Sequence, residues 1–327
     1  MTAPAPTPTP TPAPTPTLAL APVVVGLDET DHSPHALEFA GREAALRCAP
    51  LWLAHTYHRA PPAAVDTAGA EIPVQTVLDQ EIEPLAEAVT QMRADHPDTP
   101  IRTYALPGSP APALVALAQG ASLLVLGHDR GGLAGMLLGS VALRTMAHAP
   151  CPVAVARGAR RGMNRVLAGV DISDAAGGRA QLGFAFDEAV RRAADLLVLP
   201  AWEDQSAFHP DPTADYTLEH LAALADDYRE RLDAVLEPWR RAHPEVAVEV
   251  LVEDGSVARS LVEASGYADL LVVGAHPYPG GEGMRLGGLA YALLQHARCP
   301  VVMVPEPVSP WSPPITAGTT AERPGRR

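Results

Sequence analysis

Blocks in the first half of the chain return in the second. "HAPCPVAVA" at 148–156 reappears as "HARCPVVMV" at 296–304, "ASLLVLG" at 121–127 as "ADLLVVG" at 268–274, and "VVVGLD" at 23–28 as "VLAGVD" at 166–171. Asp28 and Asp171 stand 143 positions apart, Cys151 and Cys299 148 apart. A nearly constant offset over several blocks marks two copies of one domain. The copies read as 22–157 and 164–306, joined at 158–163 within the basic stretch "RGARRGMNR". Residues 1–21 alternate Pro with Thr and Ala, and 307–327 look similarly unpatterned. Neither stretch has a helical or strand period, so both are expected to be disordered tails. The first also lacks the basic and apolar regions of a secretory signal.

Within each copy the periodicity alternates between apolar runs and amphipathic helices. In the first copy, "PVVVGL" reads as a buried strand and "SPHALEFAGREAALRC" as a helix, with Ser33 as N-cap and Pro34 at its first position. "LWLAHTY", "IRTYAL", "SLLVLG" and "PVAVA" follow as strands, with helices between them. The second helix contains Pro84, which is expected to kink it. Alternating strands and helices, with several strands almost wholly apolar, indicate an α/β fold: a parallel sheet with helices on both faces. In such sheets ligands bind beyond the carboxyl ends of the strands, where the strand order reverses. Asp28 follows the first strand and Gly127 closes the fourth. The loop "GHDRGGLAGMLLGS", Gly127 to Ser140, runs to the start of the next helix, whose free N–H groups favour an anion.

Charge and composition remove several function classes. A formal charge of −14 and a pI near 5.2 leave no basic face for nucleic acid or for an anionic membrane. No apolar run approaches a spanning length. Three widely spaced cysteines form no framework, which fits a reduced, cytoplasmic compartment. Cys151 and Cys299 read as small buried apolar residues. There is no Walker GK[ST], no G-x-G-x-x-G after the first strand and no G-x-S-x-G, so no enzyme class is indicated. Asp28, Asp31, His32 and His35, with His55 and His58 one strand away, are a weak metal pattern; no metal is expected.

The segments "VVVGLDETDHSPHAL", "LPGSPAPAL", "SLLVLGHDRGGLAGMLLGSVA" and "HAPCPVAVA", in this order and spacing, resemble the universal stress protein family in its tandem form over nearly all of 22–306. The resemblance implies two similar open, five-stranded parallel sheets of the adenine nucleotide alpha hydrolase-like kind, often dimerised through the last strand. It also implies ATP, which Mg²⁺ can accompany, bound through G-x2-G-x9-G-[S/T] and an acidic residue after the first strand. Carried onto this chain, the nucleotide site comprises Gly26, Leu27, Asp28, Thr56, Gly127, His128, Arg130, Gly131, Gly139, Ser140 and Val141. A weaker second-repeat site comprises Asp171, Gly274 and Gly287.

The motif is imperfect in both copies. The middle glycine of the first falls on Asp129, and Gly127 to Gly139 is 12 positions against 13 from Gly274 to Gly287. In the second, Pro277 removes an N–H donor at the middle glycine, Gly288 replaces the hydroxyl residue and Glu282 adds negative charge. The first copy is therefore expected to be the nucleotide site. Two functions stay open: a regulatory adenine-nucleotide-binding protein in the stress response, or a nucleotide-free scaffold whose glycines serve only backbone turns and close packing. The apolar last strands are expected to pair with each other inside the chain; a homodimer is a further option.

Overall fold

Short apolar runs followed by amphipathic helices give each copy the same order of elements. In the first, β1 (Val23–Leu27), α1 (Ser33–Leu46), β2 (Leu51–Tyr57), α2 (Val74–Asp95), β3 (Ile101–Pro107), α3 (Pro110–Leu117), β4 (Leu123–Gly127), α4 (Ser140–His148) and β5 (Val153–Ala156) succeed one another. In the second come β6 (Arg165–Val170), α5 (Arg179–Arg192), β7 (Asp195–Pro200), α6 (Leu218–Ala242), β8 (Val248–Val250), α7 (Val257–Ala264), β9 (Leu270–Pro277), a short β10 (Met284–Arg285), α8 (Gly288–His296) and β11 (Val301–Pro305). The computed structural model describes residues 20–27, 33–57, 74–128, 139–157, 162–171, 178–201, 218–252, 256–277, 284–285 and 287–305. The expected tails, apart from residues 20 and 21, most of the linker, and residues 58–73 and 202–217 lie outside the described residues. Ser33 is already the first helical residue of α1, one position later than its expected capping role. Helix α2 continues through Pro84.

The strands form one sheet in the order β3-β2-β1-β4-β5-β11-β9-β6-β7-β8, with β10 paired only to β9. Each half has the same internal order and is parallel throughout. The two halves meet where β5 and β11 pair antiparallel, Val155 opposite Val301 and Val153 opposite Met303. The two five-stranded sheets are thus one ten-stranded sheet with a pseudo-twofold axis between β5 and β11, by the edge pairing expected from sequence.

Helices cover both faces, so central strands are buried at every position: Val153–Ala156 and Val301–Pro305 expose nothing to solvent beyond a few per cent. The outer strand β3 mixes half-buried and exposed residues and has no fully buried one. One apolar layer carries Phe39, Met92, Phe186 and Trp239 under α1, α2, α5 and α6. The other carries Leu114, Met146, Leu261 and Leu293 under α3, α4, α7 and α8. Both layers run unbroken across the seam. No helix among the described residues is long and apolar enough to cross a membrane.

The pseudo-twofold also brings α1 against α5. Each helix carries Glu-x-x-x-Arg, Glu43/Arg47 and Glu188/Arg192, which alone would be an ordinary i,i+4 surface pair. At the seam the four side chains interlock. Arg47 bridges Glu43 and Glu188, the latter at 2.5 Å, and Arg192 bridges Glu188 and Glu43. Arg191 adds a contact to Glu188 at 3.0 Å. Both glutamates are sealed from solvent, at 1% and 0% exposure. Desolvation is the main cause holding Arg191 and Arg192 below the ordinary guanidinium value; repulsion from Arg47 adds to it, and nearby carboxylates offset it in part. A third contact crosses the seam where Arg157, just after β5, donates to the carbonyls of Leu294 and Ala297 at the end of α8. A cation is favoured at that end of a helix.

Glu188→Ala leaves Arg47 and Arg192 buried with Glu43 as the one carboxylate between them. It is expected to cost about 3–5 kcal/mol, read as a lower urea midpoint with an unchanged slope. Replacing all four ion-quartet residues together by apolar side chains of similar volume is expected to cost less than that single change. Burial pushes the Cys151 thiol up to about 12, Cys299 is also buried, and Cys48 is exposed. At mildly alkaline pH an alkylating reagent is therefore expected to modify Cys48 in the native protein, and Cys151 and Cys299 only after unfolding.

Candidate nucleotide crevice

The order reversal in the first half lies between β1 and β4. Val25 sits opposite Val125, which sets Leu27 level with Gly127 two residues further on. Both strands end there, so the chain leaves them on either side of one crevice. His128 still ties the exit of β4 to the sheet, its N–H donating to Ala156 O at 3.2 Å. Chain exit from β1 is held by His55 of β2, whose Nδ1 lies 3.1 Å from Leu27 O. His55 is buried and opposite Leu27 in the ladder. Sequence reasoning weighed it only as a metal ligand. Its position one strand over, level with the end of β1, becomes visible once the register is known.

Beyond the loop, Gly139 caps α4 with φ −58° and ψ 146°, and among the described residues no side chain hydrogen-bonds to the cap. Leu143 N–H closes the first turn on Gly139 O at 3.2 Å. The N–H groups of Ser140, Val141 and Ala142 are those that helix geometry leaves without an intrahelical partner. Ser140 is exposed. Together these donors and the positive end of the helix dipole suit an anion.

The expected site residues divide into groups. Gly127, Gly139 and Ser140 border the crevice or its helix terminus. Thr56 lies one residue beyond His55 and pairs with Leu106, half-buried. His128 is buried. Leu27 and Val141 put their side chains into the apolar layers, so only their backbones face the crevice. Gly26 has a packing reason for its identity: a Cβ there would sit 3.0 Å from Leu114 and 3.2 Å from Leu126. Its counterpart Gly169 is hemmed in likewise, by Val273, Ala201 and Leu261. Asp28, Arg130 and Gly131 lie outside the described residues, as do Asp31, His32 and His58 of the metal pattern. Among the described residues no group of three or more metal-binding side chains comes together.

In the second half the same positions are built differently. Asp171 follows β6 and is half-buried. Gly274 is not at a strand end: β9 continues to Pro277, and His276 and Pro277 pair antiparallel with Arg285 and Met284 of β10. The described ends of the chain that would wrap a phosphate thus pair with each other, and β10 also lies against α4 of the first half. Gly287 caps α8 and Gly288 opens it, with no hydroxyl at that terminus.

A cavity of about 280 Å³ lies elsewhere, at the seam, lined by Arg42, Arg157, Asn164, Arg191, Arg192 and Asp269 among others. Its charges are largely spent. Arg191 and Arg192 meet Glu188, Arg157 caps α8, and Asp269 accepts from Met163 N–H at 3.1 Å and Asn164 N–H at 2.7 Å.

Comparison with known proteins agrees with this architecture. The family model described as "Universal stress protein family" matches residues 20–157 and again 163–305. A universal stress protein of Mycobacterium tuberculosis is 31% identical over 314 residues, covering 89% of this chain and 97% of that protein. The crystal structure of a universal stress protein from Archaeoglobus fulgidus has the same fold, with a TM-score of 0.61 at 15% identity over 87% of this chain and 98% of that one. A solved universal stress protein in complex with cAMP is 31% identical over 42% of this chain and 98% of its own, with a TM-score of 0.31. With both halves matched by one family model and tandem relatives aligned along nearly their whole length, the chain belongs to the universal stress protein family.

Proposed function

We propose that this protein is a regulatory adenine-nucleotide-binding protein that takes one nucleotide per chain, in the first repeat, and does not turn it over. The observation that carries this reading is the N-terminus of α4, uncapped by any side chain among the described residues, beyond the loop that leaves β4 level with the end of β1. Phosphates would rest on the N–H groups of Gly139, Ser140 and Val141 and on the Ser140 hydroxyl. Gly127 allows close approach at the strand end. Asp28, next after Leu27, would accept from the sugar or base. The N–H donors of a helix terminus bind phosphate oxygens through dipole and hydrogen bond together. Mg²⁺ bound with ATP would ride on the phosphates. Several such donors add up to micromolar affinity, about 8 kcal/mol.

Calorimetric titration with ATP tests this. Wild type is expected to bind one equivalent. Ser140→Ala removes one hydroxyl and is expected to weaken binding about five- to tenfold. Gly139→Val is expected to remove binding while sparing the fold, because a Cβ there meets nothing within 4 Å among the described residues and φ is ordinary. Asp171→Ala is expected to leave the titration unchanged. Binding lost with Asp171→Ala but retained by Gly139→Val would place the nucleotide in the other repeat. No binding by wild type would favour the scaffold function. Phosphate release above the buffer rate would contradict a purely binding role.

A further inference from the structure

The two crevices differ in one side chain that neither glycine motif includes. Helices α1 and α5 correspond through a shift of 145 positions, which maps Glu43 onto Glu188 and Arg47 onto Arg192. The same shift maps Cys48 onto Ala193, and both of these adopt positive φ, 49° and 48°, just past their helices. It also sets Ala36, in the first turn of α1, in register with Gln181 in the first turn of α5. Alanine ends at Cβ. Glutamine reaches three atoms further, and its direction is recorded by its neighbours. A Cβ on Gly274 would run into Gln181 Oε1 and stand 3.1 Å from its Cδ. A Cβ on Gly178 would stand 3.3 Å from Gln181 Nε2 and 3.2 Å from Asp171 O. The carboxamide therefore points its Oε1 at the α-carbon of Gly274, with Nε2 turned away toward Gly178, between the exit of β6 and strand β9, where the strand order reverses.

We infer that Gln181 fills the second repeat's crevice from within, taking the place a ligand would occupy, and so decides which repeat can accept one. This rests on the reading of the first repeat as the nucleotide site. Gln181 is 2% exposed, and among the described residues its Nε2 finds no acceptor. Packing alone does not explain that choice: a leucine would fill similar volume without a buried donor left unmade. A polar side chain held there matches a crevice whose walls, Asp171 and the backbone of β6 and β9, are those of a ligand site. Gly274 then has a role unrelated to phosphate: it is glycine because the Gln181 amide presses on it. The β9–β10 pairing at Pro277 withholds the phosphate donors, and Gln181 withholds the space.

The test transfers the device to the other repeat. Ala36→Gln, checked for folding by its urea midpoint, is titrated with ATP beside wild type. At least a hundredfold weaker binding is expected, since the new carboxamide would lie over Gly127. ATP binding within threefold of wild type in a folded Ala36→Gln protein would overturn the inference. The second arm needs no nucleotide. Gly274→Ala is expected to lower the melting temperature by several degrees, and adding Gln181→Ala is expected to recover most of that loss. A double variant as unstable as Gly274→Ala would overturn the inference whether or not ATP binds. If wild type binds no ATP while the stability pair couples as expected, the reading of the first repeat fails and the filled second crevice stands.

Discussion

The antiparallel pairing of β5 with β11 is the contact from which the rest of the molecule follows. A parallel five-stranded unit has two edges. In each repeat the outer edge, β3 or β8, carries exposed residues, whereas the inner edge is buried on both faces. An apolar edge with unmade backbone hydrogen bonds is a template for association. Here each repeat supplies the other's partner. Because strands are parallel within each half and antiparallel across the seam, the carboxyl ends of the two halves lie at opposite ends of the sheet's strands. The two crevices therefore open in opposite directions and cannot share a ligand. Each must succeed or fail on its own residues.

The same axis turns two routine helical ion pairs into a buried quartet. Taking Glu43, Glu188, Arg47 and Arg192 out of water is costly, and interlocked geometry offsets that cost only when all four are present. Apolar residues could fill the space with less penalty. The quartet thus makes the seam selective for this pairing of α1 with α5. Arg157 reinforces that choice from the other face by closing the carbonyl end of α8.

Pairing also frees the repeats to diverge. Their cores remain alike, with Gly26 and Gly169 admitting α3 and α7 at similar distances. Their crevices do not. On one side β4 stops at Gly127, Ala36 leaves room and Ser140 opens a helix. On the other β9 runs on to Pro277, Gln181 covers Gly274 and Gly288 stands where a hydroxyl would be. A tandem chain can keep one crevice for a ligand and close the other because the β5–β11 pairing and the ion quartet lie outside both loops.

Much of this was legible in sequence because it is written in period and repetition. The central strands β1, β4, β5 and β11 are almost wholly apolar runs, and burial on both faces requires such runs. The internal copy fixed the number of units, and the apolar character of "PVAVA" and "PVVMV" pointed to their pairing. The nucleotide motif also showed its defects as counts: a missing residue before Gly139, and Pro277 and Gly288 in the second copy. What stayed hidden depends on atoms brought together from distant positions. No local pattern distinguishes Glu43/Arg47 and Glu188/Arg192 from solvated surface pairs, because their burial comes only from two helices meeting across the axis. His55 supports the end of β1 solely through strand register. Gln181 is one more polar residue in a first helical turn until its amide is found on Gly274, 93 positions away in the chain. Sequence decided which segments had to be buried, since hydrophobicity and period are local. The tertiary structure decided which polar groups were carried in with them, since that depends on how rigid elements cross.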